Sequence, residues 1–168
     1  MDLIAKYDKI LARWLEWLLV ALFVFFLVLV CLLVVLRYVF ATSIYGGNEM
    51  VTIAFLFTSA IGGAVGISKH EHIAITVFID RLPTALKMWV YVFGLALIAL
   101  VNGYMIYYSL HWIQKAGSFP WQPFDLPQGL VHAAIPLGCG LAILFCAFKI
   151  ALAVSGREQV DVIWLPEE

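Results

Sequence analysis

Charge is missing from four long stretches of this chain. No Asp, Glu, Lys or Arg stands between Glu16 and Arg37, between Glu49 and Lys69, between Lys87 and Lys115, or between Asp125 and Lys149. These gaps hold about 20, 19, 27 and 23 residues. A bilayer hydrocarbon core about 30 Å thick needs about 20 apolar residues of helix to cross it. Each gap meets that length, and each is apolar around its whole circumference, as a lipid-immersed helix must be. Helix is the conformation expected, because hydrocarbon offers exposed backbone N–H and C=O groups no partner. The pattern predicts an all-α membrane protein with spans at about 17–36, 50–68, 88–112 and 128–148, forming one integral membrane domain over residues 1–168. The flanks are too short for a soluble domain of about 50 residues. The first run is too long for the 7–15-residue apolar core of a signal peptide, and Arg37-Tyr38-Val39-Phe40 is no small-residue cleavage site.

Basic residues set the expected orientation. Lys6, Lys9 and Arg13 precede span one, Lys69, Arg81 and Lys87 fall between spans two and three, and Lys149 and Arg157 close the chain. The other side has only Arg37 and Lys115. The positive-inside rule therefore places both termini and the middle loop in the cytoplasm. The net charge of -1 offers no attraction for nucleic acid. Trp17, Trp89 and Trp112 stand near span ends, where amphipathic rings favour the headgroup region.

Two flanking segments carry helical stripes. Before span one, Leu3, Ile4, Tyr7, Ile10, Leu11 and Trp14 line one face. This is either a helix lying in the interface or a plain extension of span one. Between spans two and three, Lys69, His72, Thr76, Asp80, Thr84 and Lys87 recur at intervals of three and four, with Ile and Val between them. That spacing predicts an amphipathic helix lying on the membrane surface, ended or followed by Pro83. The third loop combines Pro120, Pro123 and Pro127 with Phe119, Trp121 and Phe124, and Asp125 is positioned to cap span four with Pro127 in its first turn.

The expected packing faces come from small residues. Ser59 and Gly63, Gly62 and Gly66, Ala99 and Gly103, and the series Ala134, Gly138, Ala142 each repeat at four-residue spacing. In lipid, helices associate through such close-packed small residues, so spans two, three and four are expected to make the tight contacts. Span one is almost all Leu, Val and Phe and offers no such face.

Catalytic chemistry finds no constellation here. His70 and His72 point in different directions on a helix, and His111 and His132 have no matching histidines in other spans to hold a haem. Cys31, Cys139 and Cys146 all fall inside spans and read as small apolar packing residues. Every acid flanks a span, whereas an ion or proton path requires one near midplane. Asn102 is the one strongly polar side chain well inside a span and reads as an interhelical hydrogen-bond partner. An autonomous small transporter, or the membrane anchor of an electron-transfer complex, are the alternatives. The first needs an embedded carboxylate and the second needs paired histidines.

Taken in order, Arg37-Tyr38-Val39-Phe40, Glu49, the glycine-rich end of span two, Lys69, His72-Ile73, Asp80-Arg81-Leu82-Pro83, Pro136 and Gly138 resemble the small membrane subunit of tripartite ATP-independent periplasmic (TRAP) transporters. The resemblance runs over nearly the whole chain. It departs at Thr76, where an acid is common, and at Gly47-Asn48, where an aromatic often precedes the glutamate. It implies a bacterial inner-membrane protein that serves as a scaffold in a sodium-driven importer of organic acids, such as C4-dicarboxylates or sialic acid. Its partners would be a large membrane subunit, which holds substrate and sodium, and a periplasmic binding protein. This chain would carry no catalytic, substrate or metal site and no cofactor. Arg37, Glu49, Gly62, Gly66, His72, Asp80, Ala134 and Gly138 are the candidates for subunit-interface or structural roles.

Overall fold

The computed structural model describes residues 2–69, 84–122 and 124–154. The described chain is helical apart from one small hairpin. Helix α1 spans Asp2–Val39, α2 Gly47–Ser68 and α3 Thr84–Ala116. A two-residue strand pair follows, β1 at Pro120–Trp121 and β2 at Leu126–Pro127, then a short helix α4 at Gln128–His132 and α5 at Ala134–Val154. Four helical stretches are long and apolar enough to cross a membrane: Ile10–Val39, Gly47–Ser68, Leu86–Ala116 and Gln128–Val154. They coincide with the four expected spans, with longer ends. The segment expected to lie on the membrane surface, with His72 and Asp80, falls outside the described residues.

Helix α1 runs unbroken for 38 residues. At 1.5 Å per residue it is about 57 Å long, well beyond a hydrocarbon core. No Gly or Pro interrupts it, and nothing in its sequence favours a bend at Trp17. The N-terminal stretch is thus an unbroken helical continuation of span one. It packs against the protein rather than standing apart, since Ala12 belongs to the same buried cluster as residues of α2, α3 and α5.

In space the long helices form a row in the order α1, α2, α5, α3, each packed chiefly on its neighbours. The last helix to be made is inserted between the second and third. Its small and apolar residues therefore form the centre of the core: Phe145 and Cys146 are 0% exposed and sit with Ala64, Ala142, Tyr91 and Leu95. The outer helices α1 and α3 each leave a long apolar face uncovered. Phe23, Val24 and Val28 on α1 and Phe93, Tyr104, Tyr107 and Tyr108 on α3 are exposed.

Close approach depends on which glycine meets which neighbour. A Cβ added to Gly138 would stand 2.7 Å from the Ala60 Cβ and 2.8 Å from its carbonyl oxygen. The α2 and α5 backbones meet there. A Cβ at Gly47 would lie 2.5 Å from Leu33 Cδ2, and one at Gly62 would lie 3.4 Å from Leu19 Cδ1. Span one therefore does have a tight partner, contrary to expectation. Its leucines enter gaps that glycines on α2 provide, so the small residue need stand on only one of the two helices.

The α1–α2 turn uses left-handed backbone at two positions. Ala41, just past α1, has φ 50°, and Gly46 has φ 76° as the residue before α2. Between them the Thr42 N–H closes back on the Leu36 carbonyl at 3.1 Å.

The third loop differs from its expected form. It is a hairpin in which Pro120 pairs with Pro127 and Trp121 with Leu126. Proline is tolerated there because the pair has open edges and needs few ladder donors. Asp125 sits near the tip with φ 51° and caps nothing; Pro127 itself occupies the position before α4, with no side-chain cap. Span four is also divided, by a turn at Ala133. Pro136 lacks the N–H that would bond the His132 carbonyl, which loosens the helix at that point.

Candidate functional site

Polar side chains gather at the two ends of the helix row. At the end near the chain termini, Asp8 on α1 is 5% exposed and Lys149 on α5 is 8% exposed. Asp8 Oδ2 lies 3.7 Å from Lys149 Nζ, and the buried Ser68 hydroxyl at the end of α2 donates to Asp8 Oδ1 at 3.4 Å. One carboxylate thus ties α1 to both α2 and α5. Two turns further along α1, Glu16 Oε1 lies 3.2 Å from Lys69 Nζ, in a more exposed setting. Burying a charge is costly unless it is paired, and here the pairing spans three helices.

In the sequence Lys149 reads only as an orienting charge, and Asp8 and Ser68 belong to no motif. A signal was present. Asp8, Ala12, Leu15 and Leu19 follow the three-and-four spacing of one helix face, so Asp8 is an acid on an otherwise apolar stripe.

At the opposite end a groove of about 1230 Å³ opens beside the α1–α2 turn. Arg37 and Glu49 both line it, with Tyr38, Ser43, Asn48 and Gln122. Among the described residues Arg37 and Glu49 form no ion pair with each other. Glu49 lies in the first turn of α2, where the helix dipole favours negative charge. Gln122 reaches the groove from the hairpin tip, which therefore overhangs the α1–α2 turn. On another face of the same helix pair, Phe124 and Leu126 of the hairpin join Leu22, Phe25, Ile53 and Phe57 around an apolar cavity of about 310 Å³.

The remaining candidates fall into place singly. Ala134 is 1% exposed and Gly138 is buried against α2. Gly62 faces Leu19, whereas among the described residues a Cβ at Gly66 would meet nothing within 4 Å. Asn102 does not bridge helices: its amide donates to the Ile98 carbonyl of its own helix at 2.8 Å. That bond engages one of its amide donors one turn back on the same helix. His132 packs edge-on against Trp112 at a ring-centroid distance of 4.4 Å and against Trp121 at 5.8 Å, which fixes the hairpin to the end of α3. Among the described residues no group of three or more His, Cys, Asp or Glu side chains comes together. The three cysteines are free, and Cys146 is fully buried in the core.

Comparison with known proteins decides what kind of membrane protein this is. Residues 26–156 match the family model for the DctQ component of tripartite ATP-independent periplasmic transporters. The chain belongs to that family. The match takes in the second half of span one, all of spans two to four and both ends of the groove. The chain is 27% identical over 149 residues to a TRAP transporter small permease protein of Haemophilus influenzae, covering 84% of this chain and 86% of the relative. It is 30% identical over 98 residues to the C4-dicarboxylate TRAP transporter small permease protein DctQ of Rhodobacter capsulatus. That second match covers 56% of this chain and spans 42% of the relative's length. As a small permease subunit of a TRAP transporter, the chain is a multi-pass membrane protein. Its row of four helices accounts for the apolar faces left open on α1 and α3.

Proposed function

We propose that this small permease subunit is a static scaffold in a sodium-driven importer of organic acids, of the C4-dicarboxylate or sialic-acid type. A large membrane subunit holds the substrate and sodium ions and moves against the scaffold, and a periplasmic binding protein delivers the substrate. One observation carries the reading: the helices stand in a row, with α5 between α2 and α3, so the described chain encloses no path of its own between them. The ionised groups support it. The described acids Asp8, Glu49 and Asp125 lie toward helix ends or in the hairpin, and Glu16 precedes the charge-free run of α1, so all stand away from the middle of the spans where a coupling ion would bind. The substrate class rests on the family and on the C4-dicarboxylate relative.

In this reading the protein sits in the bacterial inner membrane with both termini in the cytoplasm, as the excess of Lys and Arg on that side favours. Segment 72–82 lies flat on the cytoplasmic surface as an amphipathic brace. This chain supplies no catalysis and no ion site.

Reconstitution tests the proposal. Liposomes holding this chain alone, given a sodium gradient and radiolabelled C4-dicarboxylates or sialic acid, should take up no more than empty liposomes. Liposomes with the large subunit and binding protein added should accumulate one of these acids. Uptake by this chain alone would overturn the scaffold reading.

A further inference from the structure

The groove beside the α1–α2 turn is graded along the membrane normal. Val30, Leu33 and Val34 form its deep side, and Arg37 stands at the mouth, about 10 Å further along α1 than Val30 at 1.5 Å per residue. Apolar floor and polar mouth follow the order in which a phospholipid presents its chains and headgroup. The mouth lies where α1 ends, which is headgroup level for a helix that crosses the bilayer.

The charges narrow the choice of lipid. Arg37 and Glu49 share the groove, yet among the described residues neither has an ion-pair partner. A bare anion would gain Arg37 but face the Glu49 carboxylate. A bare cation would gain Glu49 but face the guanidinium. A zwitterion with a phosphate and an ammonium satisfies both. The planar guanidinium forks onto phosphate oxygens, and a carboxylate accepts from an ammonium that still carries N–H groups. Ser43 and Gln122 add neutral hydrogen-bonding groups at the rim. A free organic acid gains nothing from the Val and Leu floor, so a lipid fits the groove better.

We propose that this groove is a binding site for an ethanolamine phospholipid, with its phosphate on Arg37 and its ammonium on Glu49. The lipid fills the space between α1, the α1–α2 turn and the hairpin tip, and so connects the hairpin to the first helix pair.

Native mass spectrometry tests the site on the full-length protein, purified in mild detergent with any subunits that accompany it. The delipidated protein is offered phosphatidylethanolamine, phosphatidylcholine or phosphatidylglycerol in turn. Wild type should retain phosphatidylethanolamine in preference to the other two. Arg37→Gln should lower that retention about tenfold, the usual scale for a lost charge-assisted hydrogen bond. Glu49→Gln should keep lipid but lose the preference for ethanolamine over choline, whose quaternary nitrogen donates no hydrogen bond. Lys115→Gln, which alters a basic residue outside the groove, should change neither. A photo-crosslinking residue at Ser43 should capture phospholipid. Equal retention by wild type and Arg37→Gln, a preference for phosphatidylglycerol, or capture of protein rather than lipid at Ser43 would each overturn the proposal.

Discussion

The Asp8 carboxylate lies 3.7 Å from the Lys149 ammonium, so the first and last helices are joined by a buried ion pair at the end of the row near the termini. The Ser68 hydroxyl completes the arrangement from α2. Removing one partner takes away the opposite charge closest to a buried one, and breaking a buried pair in this way typically costs about 3–5 kcal/mol. Asp8→Leu should therefore lower the melting temperature of the detergent-purified protein sharply. The double change Asp8→Leu with Lys149→Met should recover most of the loss, because apolar side chains of similar volume can replace a buried pair. Thermal unfolding followed by size exclusion reads both, and a double variant no better than the single one would show that the charges themselves are needed.

Glu16 and Lys69 provide the contrast. Their 3.2 Å contact is shorter than the Asp8–Lys149 contact, but the side chains are 32% and 44% exposed. An exposed pair contributes only about 0–1 kcal/mol. Glu16→Gln should leave the same melting temperature nearly unchanged and make it less sensitive to salt.

Gly138 and Gly66 separate two kinds of small residue. A methyl group at Gly138 would press on the Ala60 backbone, which cannot move aside as a flexible side chain does. Gly138→Ala should destabilise the protein by about 1–3 kcal/mol, and Gly138→Leu should prevent its recovery as a folded species. Gly66→Ala should be tolerated by the isolated chain, since among the described residues nothing stands within 4 Å. Should Gly66→Leu leave the isolated chain folded yet reduce recovery of the assembled transporter, another subunit covers that face.

The α1–α2 turn predicts opposite effects at neighbouring positions. Ala41 at φ 50° adopts a conformation that costs a residue with a Cβ about 1–2 kcal/mol, whereas Gly46 at φ 76° adopts its own without that cost. Ala41→Gly should raise the melting temperature, and Gly46→Ala should lower it. The same unfolding assay reads both, and two changes in the same direction would contradict the turn geometry.

Segment 72–82 is open to chemical labelling. If it lies on the cytoplasmic surface, single cysteines at positions 72, 76 and 80 should react with a water-soluble thiol reagent added from that side, while cysteines at 73 and 77 should be protected. Equal labelling of both groups would remove the amphipathic stripe, and labelling from the outside would reverse the proposed topology.

The four spans were legible in the sequence because charge is excluded from a bilayer core, and that rule acts on each segment without reference to the others. The family, too, was legible in short motifs spread along the chain. The order of the helices was not. Placing α5 between α2 and α3 depends on which small-residue face meets which, and Gly62, Gly66 and Gly138 look alike in one dimension. Only the tertiary structure shows that Gly138 meets the Ala60 backbone, that Gly62 receives a leucine, and that Gly66 meets none of the described residues. Asp8 shows the same limit. Its position on an apolar stripe marks it as unusual, but its partners lie on two other helices and become neighbours only after the row has formed. Asn102 shows the reverse, since the bond it makes is to its own helix and not to a neighbour. Local physics, the transfer of a segment from water to lipid, was thus readable residue by residue. The pairing of buried charges and the fit of backbones required the helices to be brought together.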